Sequence, residues 1–351
     1  MKYEIFSFGS NDEKEWDHFV DNHKKATFFH TIKWKKILEQ TFNYKPDYLL
    51  VRNSERRIVG ISPAFSVKTM FGRIVVSQPF FEYGGPIIEN SFEGAYSDII
   101  KYYINKINNN KIKYVEMKSL PNESDEHYTK NGFVKQFKSF GYYIDVKDKD
   151  FEKDIWLGLY NNKVRNSIRK GIKSGLKIVQ EENIDVYYDL YLKTMAKLGS
   201  PPYPKTLFEN IKKYAKSSVR FTFAYLEEVP IAGLWTLLYN NRVSIVGNVS
   251  CSDYQNFNAN DHLYNEQIEY STKNKFEIVD LGRTRPNSSY ELYKKKWGAL
   301  KIDMYSYVYP PSESKEIDPY KYYLIFSKIT KKIPWIFTKT GIGSYLVKKF
   351  P

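Results

Sequence analysis

Apolar positions change period several times along the first half of the chain. Trp16, Phe19, Val20 and His23 recur at helical spacing behind Ser10-Asn-Asp-Glu13, which reads as a capping box. Trp34, Ile37, Leu38 and Thr41 form a second helical face from about Thr31, with Lys33, Lys35 and Lys36 off that face. Runs rich in Val, Ile, Tyr and Phe at 47–52, 57–65 and 73–80 predict three strands. A helix carrying Phe92, Tyr96, Ile99, Ile100, Tyr103 and Ile107 on one side follows, then strands at 111–118 and about 136–146.

The second half repeats this order. Helices are predicted at about 183–198 and 204–216, the latter with Pro204 in its first turn. Strands follow at 218–226, 231–239 and 243–250, then a helix at 260–273 and a strand at 276–281. A helix at 288–297 and a strand at 300–309 complete the set. The doubled order predicts an α/β (α+β) protein of two superposable lobes, 1–146 and 176–310, each a mixed sheet flanked by helices. A basic helical connector, 147–175, lies between them, and a basic amphipathic tail, 311–351, follows.

A length of 351 residues fits two domains and needs no crosslinks for a stable core. The aromatic share of 17% excludes a disordered chain. Cys251 is the single cysteine, which excludes a disulfide framework and a cysteine zinc site. The N-terminus has no apolar signal core, and no stretch approaches the roughly 18 apolar residues of a membrane span. A cytoplasmic location is therefore expected.

The net charge of +14 points to anionic partners, or to a plain lysine-rich bias. Between the lobes, 161–180 holds Lys163, Arg165, Arg169, Lys170, Lys173 and Lys177 with no acid. That segment reads either as a solvated face or as a phosphate-contacting helix. The stretch 319–351 carries seven lysines and no acid, with Trp335 and Phe337 among its apolar residues. It reads as a helix packed on the second lobe, or as a peripheral contact with an anionic membrane.

Several chemistries are absent from the sequence. There is no Gly-rich phosphate loop with a lysine, no dinucleotide fingerprint, no HExxH among the five histidines and no G-x-S-x-G elbow. No metal site is expected. A Cys251–His pairing has no supporting signature.

The run 260–298 carries Asp280-Leu-Gly282-Arg283 at a strand end, then Tyr293-Lys294-Lys-Lys-Trp297-Gly298. It resembles the C-terminal lobe of the FemAB aminoacyltransferases, peptidoglycan cross-bridge enzymes built from two GNAT-type acyltransferase folds. Phe28-Phe29-His30-Thr31, Trp34, Val59-Gly60-Ile-Ser-Pro63 and Tyr83-Gly84-Gly85-Pro86 resemble that family's first lobe. The tail, around 331–334 and Gly341, is similar to a FemAB-like branch found beside exosortase and exopolysaccharide loci.

The resemblance implies amide formation between an activated aminoacyl or acyl donor and an amine on a lipid- or nucleotide-linked cell-wall or envelope precursor. It implies Lys294 at the donor and the developing negative charge, with Asp280 as a second catalytic residue. It also implies Lys36, Arg165 and Arg169 at the acceptor's phosphates, Tyr83 lining the first lobe, and Arg283 and Tyr293 as binding residues. No separate cofactor is implied; the donor is a substrate, aminoacyl-tRNA or acyl-coenzyme A.

The residues leave alternatives open. Three consecutive helical lysines point about 100° apart, so Lys294 is either at a cleft or simply exposed. Tyr293 and Trp297 are i and i+4 and share a face. Asp280 is catalytic or caps the next loop. The long coiled-coil arm of the cross-bridge enzymes has no counterpart. The phosphate-cradling R/Q-x-x-G-x-G/A of coenzyme A users is also missing, because 253–260 contains no glycine. The other readings are a coenzyme A-dependent acyltransferase in exopolysaccharide synthesis and a non-catalytic envelope-biosynthesis binding protein.

Overall fold

In the computed structural model, which describes residues 1–70, 72–81, 83–110, 112–119, 125–314, 327–328, 331 and 341–349, strand β1 (Tyr3–Ser7) precedes a helix, α1 (Glu13–Asn22). Ser10 is not that helix's cap. The Asp12 carboxylate accepts the Gly9 N–H at 2.7 Å, and Ser10–Asp12 becomes a separate tight turn. Arg52 fixes this arrangement by reaching Asp12 at 2.9 Å and Glu15 at 2.6 Å, so a tertiary ion pair overrides the local capping signal.

The chain continues through α2 (Ile32–Phe42), β2 (Lys45–Pro46), β3 (Leu49–Asn53), β4 (Ile58–Ser62), β5 (Phe65–Thr69), β6 (Gly72–Val76) and β7 (Ile87–Ile88). Then come α3 (Gly94–Asn110), β8 (Ile112–Ser119), α4 (Asp125–Lys130) and β9 (Val134–Asp145). The predicted strand at 57–65 is two strands, because Pro63 has no N–H to continue a ladder. Helix α2 is capped by the Thr31 hydroxyl on the Trp34 amide at 3.2 Å. Lys35, expected off the buried face, is itself buried. It pairs with Glu39 at 2.8 Å and lies over the Phe8 ring.

The later elements are α5 (Asn162–Lys173), β10 (Leu176–Gln180), α6 (Ile184–Leu198), α7 (Lys205–Ala215), β11 (Val219–Leu226), β12 (Val229–Tyr239) and β13 (Arg242–Ser250). They are followed by α8 (Ala259–Lys273), β14 (Ile278–Thr284), α9 (Ser289–Lys295), β15 (Leu300–Tyr309), α10 (Pro311–Ser314) and α11 (Ile342–Lys349). Pro204 stands one residue before α7 as its cap, rather than inside its first turn.

Two compact units result. One is Met1–Lys138 with Asp303–Tyr322 and Tyr345–Pro351; the other is Ser139–Ile302 with Tyr323–Ser344. The division falls at 138/139 and 302/303 rather than at the expected 146 and 176, and the segment 147–175 is an integral part of the second unit. Most of the basic tail, including Trp335 and Phe337, lies outside the described residues.

The first unit holds two sheets, β1-β3-β4-β7 and β2-β5-β6-β8-β15, with β15 contributing from Asp303 onward. The second holds one, β10-β11-β12-β13-β14-β9, with β9 contributing from Ser139. In each unit one parallel pair, β6/β8 or β13/β14, spans the helix crossover through α3 or α8. In each, the antiparallel strand beside that pair comes from the other half of the sequence. The repeat is thus a pair of α/β lobes with exchanged last strands. Strand order is not copied in full, because the first unit's sheet divides at Pro63.

Each unit has its own apolar core. Val51, Val59, Ile99, Tyr103, Val115 and Tyr307 anchor the first; Ile144, Ile168, Leu234, Leu263, Val279 and Trp297 anchor the second.

Candidate active site

Strands β13 and β14 pair over three residues only, Arg242↔Ile278 to Ser244↔Asp280. Both then run on unpaired with each other, β13 to Ser250 and β14 to Thr284. Beside β9 the register of β14 shifts between Asp280 and Arg283, so Leu281-Gly282 is a bulge. Gly282 takes φ +76, which favours glycine, and a Cβ there would meet the Ile245 carbonyl at 3.1 Å.

Asp280 and Lys294 grip this bulge from opposite chemical sides. An Asp280 carboxylate oxygen accepts the Gly282 N–H at 2.8 Å, and the other lies 3.3 Å from Arg242. Lys294 Nζ donates to the carbonyls of Gly282 at 2.8 Å and Arg283 at 2.6 Å. Lys294 is only 4% exposed, so it is not a plain surface lysine. Burial pulls its pKa down to about 8; the Asp280 charge opposes that fall and Arg283 adds to it. The site therefore holds a desolvated cation of tunable charge at the end of a strand.

Helix α9 aims Lys294. The Ser288 hydroxyl accepts the Glu291 N–H at 3.2 Å, and Glu291 accepts the Asn287 N–H at 2.7 Å. Ser288 is thus the N-cap of α9, and Glu291 reaches back one residue further, to the Asn287 amide. Glu291 also accepts from the Tyr142 hydroxyl at 3.2 Å and pairs with Lys295 at 2.7 Å. Lys295 foremost, with the Asn287 amide, holds the Glu291 carboxyl below its usual range.

The rest of the Tyr293–Gly298 motif is packing. Trp297 is fully buried against Tyr160 and Tyr264, with ring centroids at 5.2 and 5.6 Å. Tyr293 meets Tyr264 edge-on at 5.3 Å, and burial raises its phenol pKa well above the usual value. Gly298 takes φ +71 with Leu159 against it. Lys296 lies over Tyr293 and donates to both Asp261 oxygens, at 2.6 and 2.7 Å.

The structure thus brings together Asp280, Arg283 and Lys294, while the Tyr293 ring packs on Tyr264 and Trp297. Arg165 and Arg169 lie in the same unit on α5. Arg165 donates to the carbonyls of Trp156, Leu157 and Tyr160 and to the Asn162 side chain. It closes the wide helical turn Phe151–Leu159. Arg169 is exposed and lies over the Trp156 ring; Lys163, Lys170 and Lys173 are exposed too.

Lys36 and Tyr83 belong to the first unit. Lys36 is paired with Glu13 at 2.6 Å, and Tyr83 is buried. There the predicted motifs do meet one another. Thr27 N–H donates to His30 Nδ1 at 3.1 Å, so Nε2 carries the ring proton and donates to the Gly85 carbonyl at 3.1 Å. Gln78 donates to the Phe29 carbonyl at 2.6 Å and accepts from the Trp34 indole at 2.9 Å.

Burial drops the His30 pKa to about 4. The unfolded chain therefore binds the proton first, and stability falls as pH drops from 6.5 toward 4, by about 3 kcal/mol in all. Urea melts between pH 7 and pH 4.5 test this. Wild type should lose stability steeply, while His30→Gln, weaker at pH 7, should show a flatter slope. Parallel slopes would contradict the assignment.

Residues 161–295 match the family model described as an acetyltransferase (GNAT) domain. The second unit carries a GNAT acyltransferase domain. The chain is also similar to the solved structure of FemX, at 12% identity and TM-score 0.69, with 90% of this chain and 99% of that one covered. The C-terminal domain of a putative lysylphosphatidylglycerol synthetase from Agrobacterium fabrum matches at 10% identity and TM-score 0.61, covering 92% and 96%. A tandem GNAT protein from the clavulanic acid biosynthesis pathway matches at 10% identity and TM-score 0.56, covering 88% and 98%. At these identities the likeness is one of fold. No curated protein sequence matches the chain. The fold is thus a tandem GNAT one, and the bulge, Asp280 and Lys294 lie within the stretch that matches the acetyltransferase model.

Proposed function

We propose that this acyltransferase joins an aminoacyl group, delivered by aminoacyl-tRNA, to an amine on a lipid- or nucleotide-linked envelope precursor. The observation that carries the reading is Lys294, a buried ammonium at the strand-end bulge of a GNAT acyltransferase domain. Amide formation passes through a tetrahedral oxyanion, and a desolvated cation stabilises that charge far better than a solvated one. Gly282 and Arg283 hold the ammonium in place before reaction, so little reorganisation is needed. Asp280 fixes the bulge that does the holding and is a positioning residue in this scheme.

Support for the donor comes from the FemAB-type motifs, the +14 charge and the absence of glycine from 253–260. The lysylphosphatidylglycerol synthetase neighbour, by its name, couples an amino acid to a lipid. The exposed cations Lys163, Arg169, Lys170 and Lys173 supply a surface for the phosphates of such substrates. A second reading, acyl transfer from coenzyme A, draws on the acetyltransferase description of the matched family.

The test offers purified protein a total tRNA pool charged with labelled amino acids, together with an envelope-precursor fraction. The proposal expects label in a product that survives mild alkali, as an amide does and an ester does not. Label released only as free amino acid, or a product made only from acetyl-coenzyme A, contradicts it.

A further inference from the structure

A helix start that follows a strand is a ready anion site, because its first N–H groups are unpaired and its dipole end is positive. Helix α8 follows β13 in this way, and its first turn carries a buried acid. After Ser250 the chain makes a tight turn, Ser252–Phe257, and Asn258 enters the helix at φ 55. Asp261, the third residue of α8, is buried in the first turn. Its carboxylate receives Lys296 on both oxygens and the Ser167 hydroxyl on one.

Helix α5 lies directly on this corner. A Cβ at Gly171 would sit 3.2 Å from the Phe257 carbonyl and 4.0 Å from His262 Cβ. Three elements thus converge on one internal carboxylate: Ser167 from α5, Lys296 from the end of α9, and the first turn of α8.

We propose that Asp261 is a specificity determinant, a built-in anion in the first turn of α8 that excludes acyl donors bearing a diphosphate. This rests on the reading of the second unit as the acyl-transfer unit. A diphosphate approaching the corner meets a like charge whose counter-ion, Lys296, is already engaged. The same dipole that would attract the ligand stabilises Asp261 in its place.

Calorimetric titration tests this without turnover, so its failure is separable from failure of the proposed reaction. The probes are inorganic pyrophosphate and acetyl-coenzyme A, and the proteins are wild type, Asp261→Asn, Asp261→Ser and the charge-preserving Asp261→Glu. Wild type and Asp261→Glu should show no saturable binding up to about 1 mM, and the neutral variants should bind pyrophosphate at least about tenfold more tightly. Folding of each variant is checked by thermal melt. Micromolar binding of either probe to wild type overturns the proposal, and that arm needs no substitution. Folded neutral variants that bind no better than wild type also overturn it.

Discussion

Lys294→Met is expected to lower kcat about 10²–10³-fold while changing KM much less. The charge it removes is needed only as the tetrahedral oxyanion forms, so the loss falls on the transition state. Methionine keeps most of the side-chain volume and removes the cost of burying a charge. It leaves the Gly282 and Arg283 carbonyls without their donor. A melt therefore accompanies the kinetics, to separate lost turnover from lost fold.

The neighbouring lysines serve as internal comparisons of two kinds. Lys295 is half-exposed and pairs with Glu291, so Lys295→Ala should leave turnover close to wild type. Lys296 is not a neutral control, because it is the counter-ion of buried Asp261. Its removal should lower stability before it lowers turnover. Equal kinetic losses at Lys294 and Lys295 would reduce the run to a basic surface.

Gly247→Ala should be the most destabilising single change in the second unit's sheet, at about 3 kcal/mol. Gly247 stands opposite Trp235 in the β12–β13 ladder. A Cβ there would lie 2.1 Å from Trp235 Nε1 and 2.5 Å from the Tyr187 hydroxyl oxygen. Both rings are buried, so neither can swing into water. The urea midpoint should fall sharply, and adding Tyr187→Phe should restore part of it. A shift of less than about 0.5 kcal/mol would show that the rings give way.

The fold was legible where a long apolar period coincided with its own caps. Helices α6 and α8 and strands β11 to β13 fall within a residue or two of the predicted spans. Edge strands β1 and β10 were not, since five-residue strands with half-polar patterns carry little signal. The exchange of β9 and β15 was also illegible. Both strands were predicted, but pairing partners are set by tertiary packing that periodicity does not encode.

At the site, the sequence singled out Asp280-Leu-Gly282-Arg283 and the Tyr293–Gly298 run as two motifs, and Lys294 of the second bonds the Gly282 and Arg283 carbonyls of the first. It could not show that Lys294 is buried, because a helical lysine's burial depends on what packs across from it. It gave no sign that Arg165 donates to carbonyls of a wide turn, which no sequence pattern announces. Asp261 was missed because its partners, Ser167 and Lys296, are 94 and 35 residues away in sequence.

The pH dependence of single-turnover transfer tests the role of Lys294 most directly. Its pKa of about 8 lies below the ordinary lysine value of 10.5, so the ammonium is present below that point and is lost above it. With a donor and acceptor that support turnover, the wild-type rate should therefore fall as pH rises through about 8, and the slow Lys294→Met variant should lack that limb. A wild-type rate that climbs through pH 8, as a neutral lysine acting as a base would produce, contradicts the account. So does a Lys294→Met profile that keeps the same descending limb.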